Sequence, residues 1–223
     1  MSDLNMQLVR EFFELNRFYV LPHWRCEDAS HSSENASLLF VERAQIEAGT
    51  EPEFLLRPAD LAGIHRAVVE VRAWHTDRVY PSTIEGNPVL GHVAGQEIRD
   101  LAETMFGVPD FKTILVVSEF SAAPTVRART LQMLQDFGIG HVLEFPTILG
   151  DLLDGVSVNG NYAPSQTLQT LRLMKRYSFV RRQQMELVFP SSGAPEPSPR
   201  AGRGRPREDA VDRREEDEES TYG

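Results

Sequence analysis

Residues 113–117, Thr-Ile-Leu-Val-Val, make a short apolar run with no polar alternation. Successive strand side chains point to opposite faces, so such a strand has two dry faces and must be covered on both. That requirement calls for a sheet with helices on either side. The neighbouring sequence supplies them. Residues 92–106 read as a helix ended by Gly107, and residues 126–137 as a helix ended by Gly138, glycine being the usual stop signal. Residues 141–145 read as another strand, and two helices are expected at 147–153 and 165–182. Strands alternating with helices imply crossover connections and partly parallel pairing.

The first half has a different rhythm. Leu4, Leu8, Phe12 and Leu15 recur at helical spacing, with Val9 and Phe13 widening the stripe, which predicts an amphipathic first helix. Strands are expected at 18–22, 37–41 and 67–74, separated by a polar loop at 28–36 and a turn-rich excursion at 47–53. A long loop with Pro81, Gly86 and Pro88 is expected over 76–91. Three consecutive strands imply antiparallel hairpins. The expected fold class is therefore α/β, a mixed central sheet flanked by helices.

Composition narrows the function classes. The single cysteine, Cys26, can form no internal disulfide and no cysteine-based zinc site. No stretch approaches 18 apolar residues, and residues 1–10 lack a basic start followed by an apolar run, so the expectation is a cytoplasmic protein with no membrane span. Phosphate-loop, dinucleotide-fingerprint and nucleophile-elbow motifs are absent from the sequence, and the six histidines show no metal-ligand spacing. The net charge is −10. From Pro190 onward six arginines stand against nine acids, leaving the body at −7, which disfavours non-specific nucleic-acid binding by the body.

The third expected strand reads Val68-Val69-Glu70-Val71-Arg72-Ala73-Trp74. Glu70, Arg72 and Trp74 share one face, and Val69, Val71 and Ala73 the other. Enclosed charges need partners or a metal. A helix, three strands, a helix and a strand, with Glu-x-Arg in the third strand, resembles the restriction-endonuclease-like PD-(D/E)xK nuclease superfamily over residues 4–145. The resemblance places Glu70 at the family's acidic position and Arg72 at its lysine, giving both as candidate catalytic residues. It implies a Mg²⁺ ion held by Glu70 with help from Glu42 and Glu11, polarising a phosphodiester and activating water.

Two departures point to a degenerate centre. The family's second-strand carboxylate falls near Ser37, where no acid stands; Glu34 and Glu42 only flank it. Arginine keeps its proton, so Arg72 can bind phosphate but cannot act as a base. The competing reading of Glu70 and Arg72 is a plain solvent-facing pair. His75 and Glu119, just past the third and fourth strands, are lesser candidates, Glu119 because open α/β sheets place ligands at strand carboxyl ends.

Composition breaks near Phe189. Residues 190–223 hold little to bury and are expected to be disordered. Within them Gly202-Arg203-Gly204-Arg205-Pro206-Arg207 resembles an AT-hook, a segment whose arginines lie in a narrow A·T-tract minor groove. Residues 208–219 carry eight acids and two arginines. A second basic cluster, Arg172, Lys175, Arg176, Arg181 and Arg182, lies on the last expected helix and is either a solvated face or a phosphate-contacting or partner surface, with Lys175 and Arg176 as DNA-binding candidates. Three functions follow: a DNA-associated nuclease-fold protein with a degenerate centre, an active Mg²⁺-dependent nuclease with a migrated ligand, or a non-catalytic interaction scaffold. Deleting residues 190–223 is expected to leave the melting temperature within about 1 °C of the parent; a drop of several degrees in a calorimetric scan would show that the tail packs on the body.

Overall fold

Five strands lie side by side in chain order. The computed structural model describes residues 3–23, 38–44 and 51–180. Strands β1 (Phe18–Pro22), β2 (Leu38–Arg43) and β3 (Arg66–Val71) pair antiparallel, and β3, β4 (Lys112–Val117) and β5 (His141–Glu144) pair parallel. The helices are α1 (Asp3–Leu15), α2 (Pro81–Glu85), α3 (Gln96–Phe106), α4 (Pro124–Asp136), α5 (Phe145–Gly155) and α6 (Gln166–Arg176), with 3₁₀ segments at Pro58–Gly63 and Pro88–Ala94. The mixed sheet flanked by helices, with hairpins first and crossovers later, is the expected α/β class.

Alternation sorts the strand residues into two cores. Val69, Val71, Ile114, Val116 and Leu143 pack with α1 and α5 on one face. Val68, Leu115, Val117 and Val142 pack with α3, α4 and the second 3₁₀ segment on the other. On α1 the buried stripe is Leu8, Val9, Phe12 and Phe13, while Leu4 and Leu15 at its ends are exposed. Phe13 stacks edge-to-face with Phe12 at 5.2 Å and Phe18 at 5.4 Å, a geometry that orients the helix on the β1 hairpin. Asn16 then ties the end of α1 to Asp151 of α5 at 2.8 Å.

The element ends differ from expectation where side chains find other partners. β3 stops at Val71, although the Arg72 N–H still donates to the Val116 carbonyl at 2.8 Å. Trp74 lies past the strand and is 39% exposed. The segment read as a loop over 76–91 contains α2 and the start of the 3₁₀ segment, both opened by proline, whose fixed φ suits a first turn. Residues 92–94 belong to that 3₁₀ segment, so α3 starts at Gln96. Phe145 opens α5 rather than closing β5, followed by Pro146. The last helix ends at Arg176, and Ser178 takes a left-handed φ of 60°. Gly107 and Gly138 are left-handed at φ 70° and 82°, as the stop signals require. The loop at 28–36, Ser37 and the tail after 189 lie outside the described residues.

His141 opens β5 in a buried position, where its Nδ1–H donates to the Glu53 carbonyl at 3.0 Å. Burial, reinforced by the Lys112 charge, holds its pKa below the ordinary imidazole value. The unfolded chain therefore binds a proton that the folded chain refuses. The stability that this group contributes is full above about pH 6.5 and is lost as pH falls toward the lowered folded pKa. Urea unfolding of the parent is expected to weaken over that interval, and His141→Gln to flatten the loss; equal slopes for both proteins would remove His141 from the account.

Candidate functional site

Glu70 sits one residue before the end of the middle strand, fully buried, on the face that carries Val68. Arg72 lies two residues on, about 7 Å along the same face of the pleat, and is also buried. Its Nε and Nη2 donate to Glu70 Oε1 at 2.8 and 2.5 Å. His92, from the second 3₁₀ segment, places Nδ1 3.1 Å from the same oxygen. The other oxygen, Oε2, is buried with no hydrogen-bond partner among the described residues. The buried charge is thus balanced inside the chain. The solvent-facing reading of Glu70 and Arg72 is not what the structure shows.

The other carboxylates are elsewhere. Glu42 of β2 pairs in register with Arg66 at the start of β3, whereas Glu70 pairs with Leu38, four residues away. That is about 13 Å along the strand. The Glu42 carboxylate accepts from Arg66 at 2.7 Å. Glu11 rides on α1, the helix packed on the opposite face of the sheet from Glu70. Glu11 Oε1 accepts from Gln7 at 3.1 Å and from the Ser165 hydroxyl, which also caps α6 by accepting from Leu168 N. Glu11 therefore anchors α6 to α1. Among the described residues no three His, Cys, Asp or Glu side chains come together to hold a metal ion. The resemblance implies Mg²⁺ on Glu70, Glu42 and Glu11, and those three residues do not fit it.

The basic candidates divide in the same way. Lys175 Nζ donates to the Leu153 and Val156 carbonyls, each at 2.5 Å, closing the carboxyl end of α5. Arg176 is exposed on the last turn of α6. Arg181, Arg182, Arg203, Arg205 and Arg207 lie outside the described residues.

A second feature opens at the carboxyl edge of β3, β4 and β5: a cleft of about 600 Å³ lined among others by His75, Arg78, Glu119 and Phe145. Glu119 accepts from Arg78 at 2.8 Å, which raises the guanidinium pKa further. His75 and Glu119 were legible as strand-end residues. His92 was not, because it lies 22 residues from Glu70 inside a segment that reads as loop and helix start. Asn5 gave no signal either; only the fold brings it to His75.

Breaking the buried pair leaves one uncompensated charge in the sheet. Glu70→Leu and Arg72→Met are each expected to cost about 3–5 kcal/mol of folding stability, and the double variant much less than their sum. Guanidinium unfolding of the four proteins in a double-mutant cycle measures this; strictly additive costs would mean that the two side chains do not depend on each other.

Comparison with known proteins finds no matching family model, no matching curated protein and no matching solved structure, so the functional reading rests on this chain's own residues.

Proposed function

We propose that the chain is a DNA-associated protein of restriction-endonuclease-like architecture whose metal centre has lost its function. The carrying observation is the state of Glu70. Its hydrogen-bond partners among the described residues are Arg72 and His92, and among those residues no three His, Cys, Asp or Glu side chains gather to hold an ion. A carboxylate already neutralised by a guanidinium that stays protonated has little charge left for a divalent ion. The element order, a helix, three antiparallel strands, a helix and a parallel strand, supports the architectural half of the reading. Arg203, Arg205 and Arg207 support the DNA half, since the Arg-Gly-Arg core suits a narrow minor groove. DNA affinity on this reading comes from the tail.

A scaffold without nucleic acid is the second reading. It is favoured by the acidic body and by Lys175, which is occupied in closing α5.

Full-length protein is expected to leave supercoiled plasmid intact with either Mg²⁺ or Mn²⁺. It is expected to bind an A·T-rich duplex with affinity that falls as salt rises, and Arg203→Ala/Arg205→Ala to weaken that binding about tenfold. Nicking abolished by Glu70→Gln would establish the active nuclease instead. Unchanged binding by the double variant would leave the scaffold.

A further inference from the structure

The cleft at the carboxyl edge of β3–β5 lies where parallel α/β sheets receive ligands. It contains a histidine, His75, with a buried partner at one ring nitrogen. Asn5 of α1 is buried and donates its Nδ2–H to the Ala73 carbonyl at 3.0 Å. That bond fixes which way the amide points, leaving Asn5 Oδ1 as an acceptor. His75 Nε2 lies 3.1 Å from that oxygen, so Nε2 must carry the hydrogen. In the neutral form of the ring Nδ1 is then the acceptor. Phe145 packs edge-to-face on the imidazole at 4.5 Å. An exposed histidine needs neither constraint for stability. Both act on the direction of one lone pair.

The rest of the lining selects the ligand. Asp77 and Glu119 against Arg78 leave the side chains one unit negative. Arg78 is held by Glu119. A phosphate meets two carboxylates there, so a doubly charged anion is disfavoured. Tyr80, Phe145 and Leu149 supply a partly aromatic, apolar wall. We propose that this cleft binds a neutral heterocycle of nucleoside size, with a ligand N–H donating to His75 Nδ1. The site is built on different residues from the Glu70 centre and stands whether or not that centre cleaves DNA.

The test uses the full chain with adenosine and cytidine as probes, each beside its 5′-monophosphate. Titration calorimetry is expected to give saturable binding of at least one nucleoside, with the monophosphate weaker. Long-range ¹⁵N spectra of the imidazoles are expected to show His75 as the Nε2–H tautomer, its Nδ1 signal moving on addition of that nucleoside. His75→Ala is expected to weaken binding about five- to tenfold, the loss of one hydrogen bond, and Glu119→Gln to narrow the gap between nucleoside and monophosphate. Because the tautomer is read on the parent protein, a poorly folded variant does not hide the answer. An Nδ1–H tautomer, tighter binding of the monophosphates, or no binding of either nucleoside would overturn the proposal.

Discussion

A carboxylate in the dry middle of a five-stranded sheet is the constraint around which the other parts are arranged. Every residue of β3 from Ala67 to Val71 is buried, so Glu70 has no water to turn to. An isolated ionised carboxylate in such a place is prohibitively costly, and it must be paired or neutralised. The pairing is local in sequence and long-range in space at once. Arg72 reaches back along the same face because the pleat repeats every two residues. His92 arrives from a 3₁₀ segment that has to cross the carboxyl half of the sheet to do so. That segment, with Leu90 and Val93, closes the core over Val68 and Leu115. The charge and the lid over it are therefore one structural unit.

Much of the fold follows from period alone. Ile114 and Val116 face one core while Leu115 and Val117 face the other, which is the division an unbroken apolar strand requires. The first helix, the hairpins and the glycine stops follow from equally strong local signals. What escapes the sequence is where polar chemistry overrides pattern. Residues 81–94 look like a loop because proline and glycine dominate them, yet proline at a first turn starts short helices as readily as it ends long ones. Phe145 fits a strand by hydrophobicity, and its N–H instead joins the Ser118 carbonyl as α5 begins.

The site was legible in part for the same reason. Glu70 and Arg72 are two residues apart, so their shared face can be read directly from the pleat. Glu11 and Glu42 enter by resemblance, and the fold distributes them to another face and another strand end. Lys175 shows the limit of reading charge from a helix wheel. Its place in a basic cluster suggested phosphate, and its length also lets it reach the open carbonyls at the end of α5. Charge counts identify candidates; the competing internal acceptors decide their use.

The two faces of the sheet consequently treat charge in opposite ways. On the Val68 face, Arg72 and His92 meet at a single Glu70 carboxylate oxygen buried in the sheet, and the second oxygen has no partner among the described residues. On the α1 side, Asn5 spends both ends of its amide to leave His75 with one unused ring nitrogen at the edge of an open cleft. A network that consumes its own donors stabilises a fold and offers little to a ligand. A network that ends on a directed, unused acceptor offers a ligand a defined bond at low orientational cost. By that criterion the strand-end cleft, with His75 on its lining, has the character of a binding site.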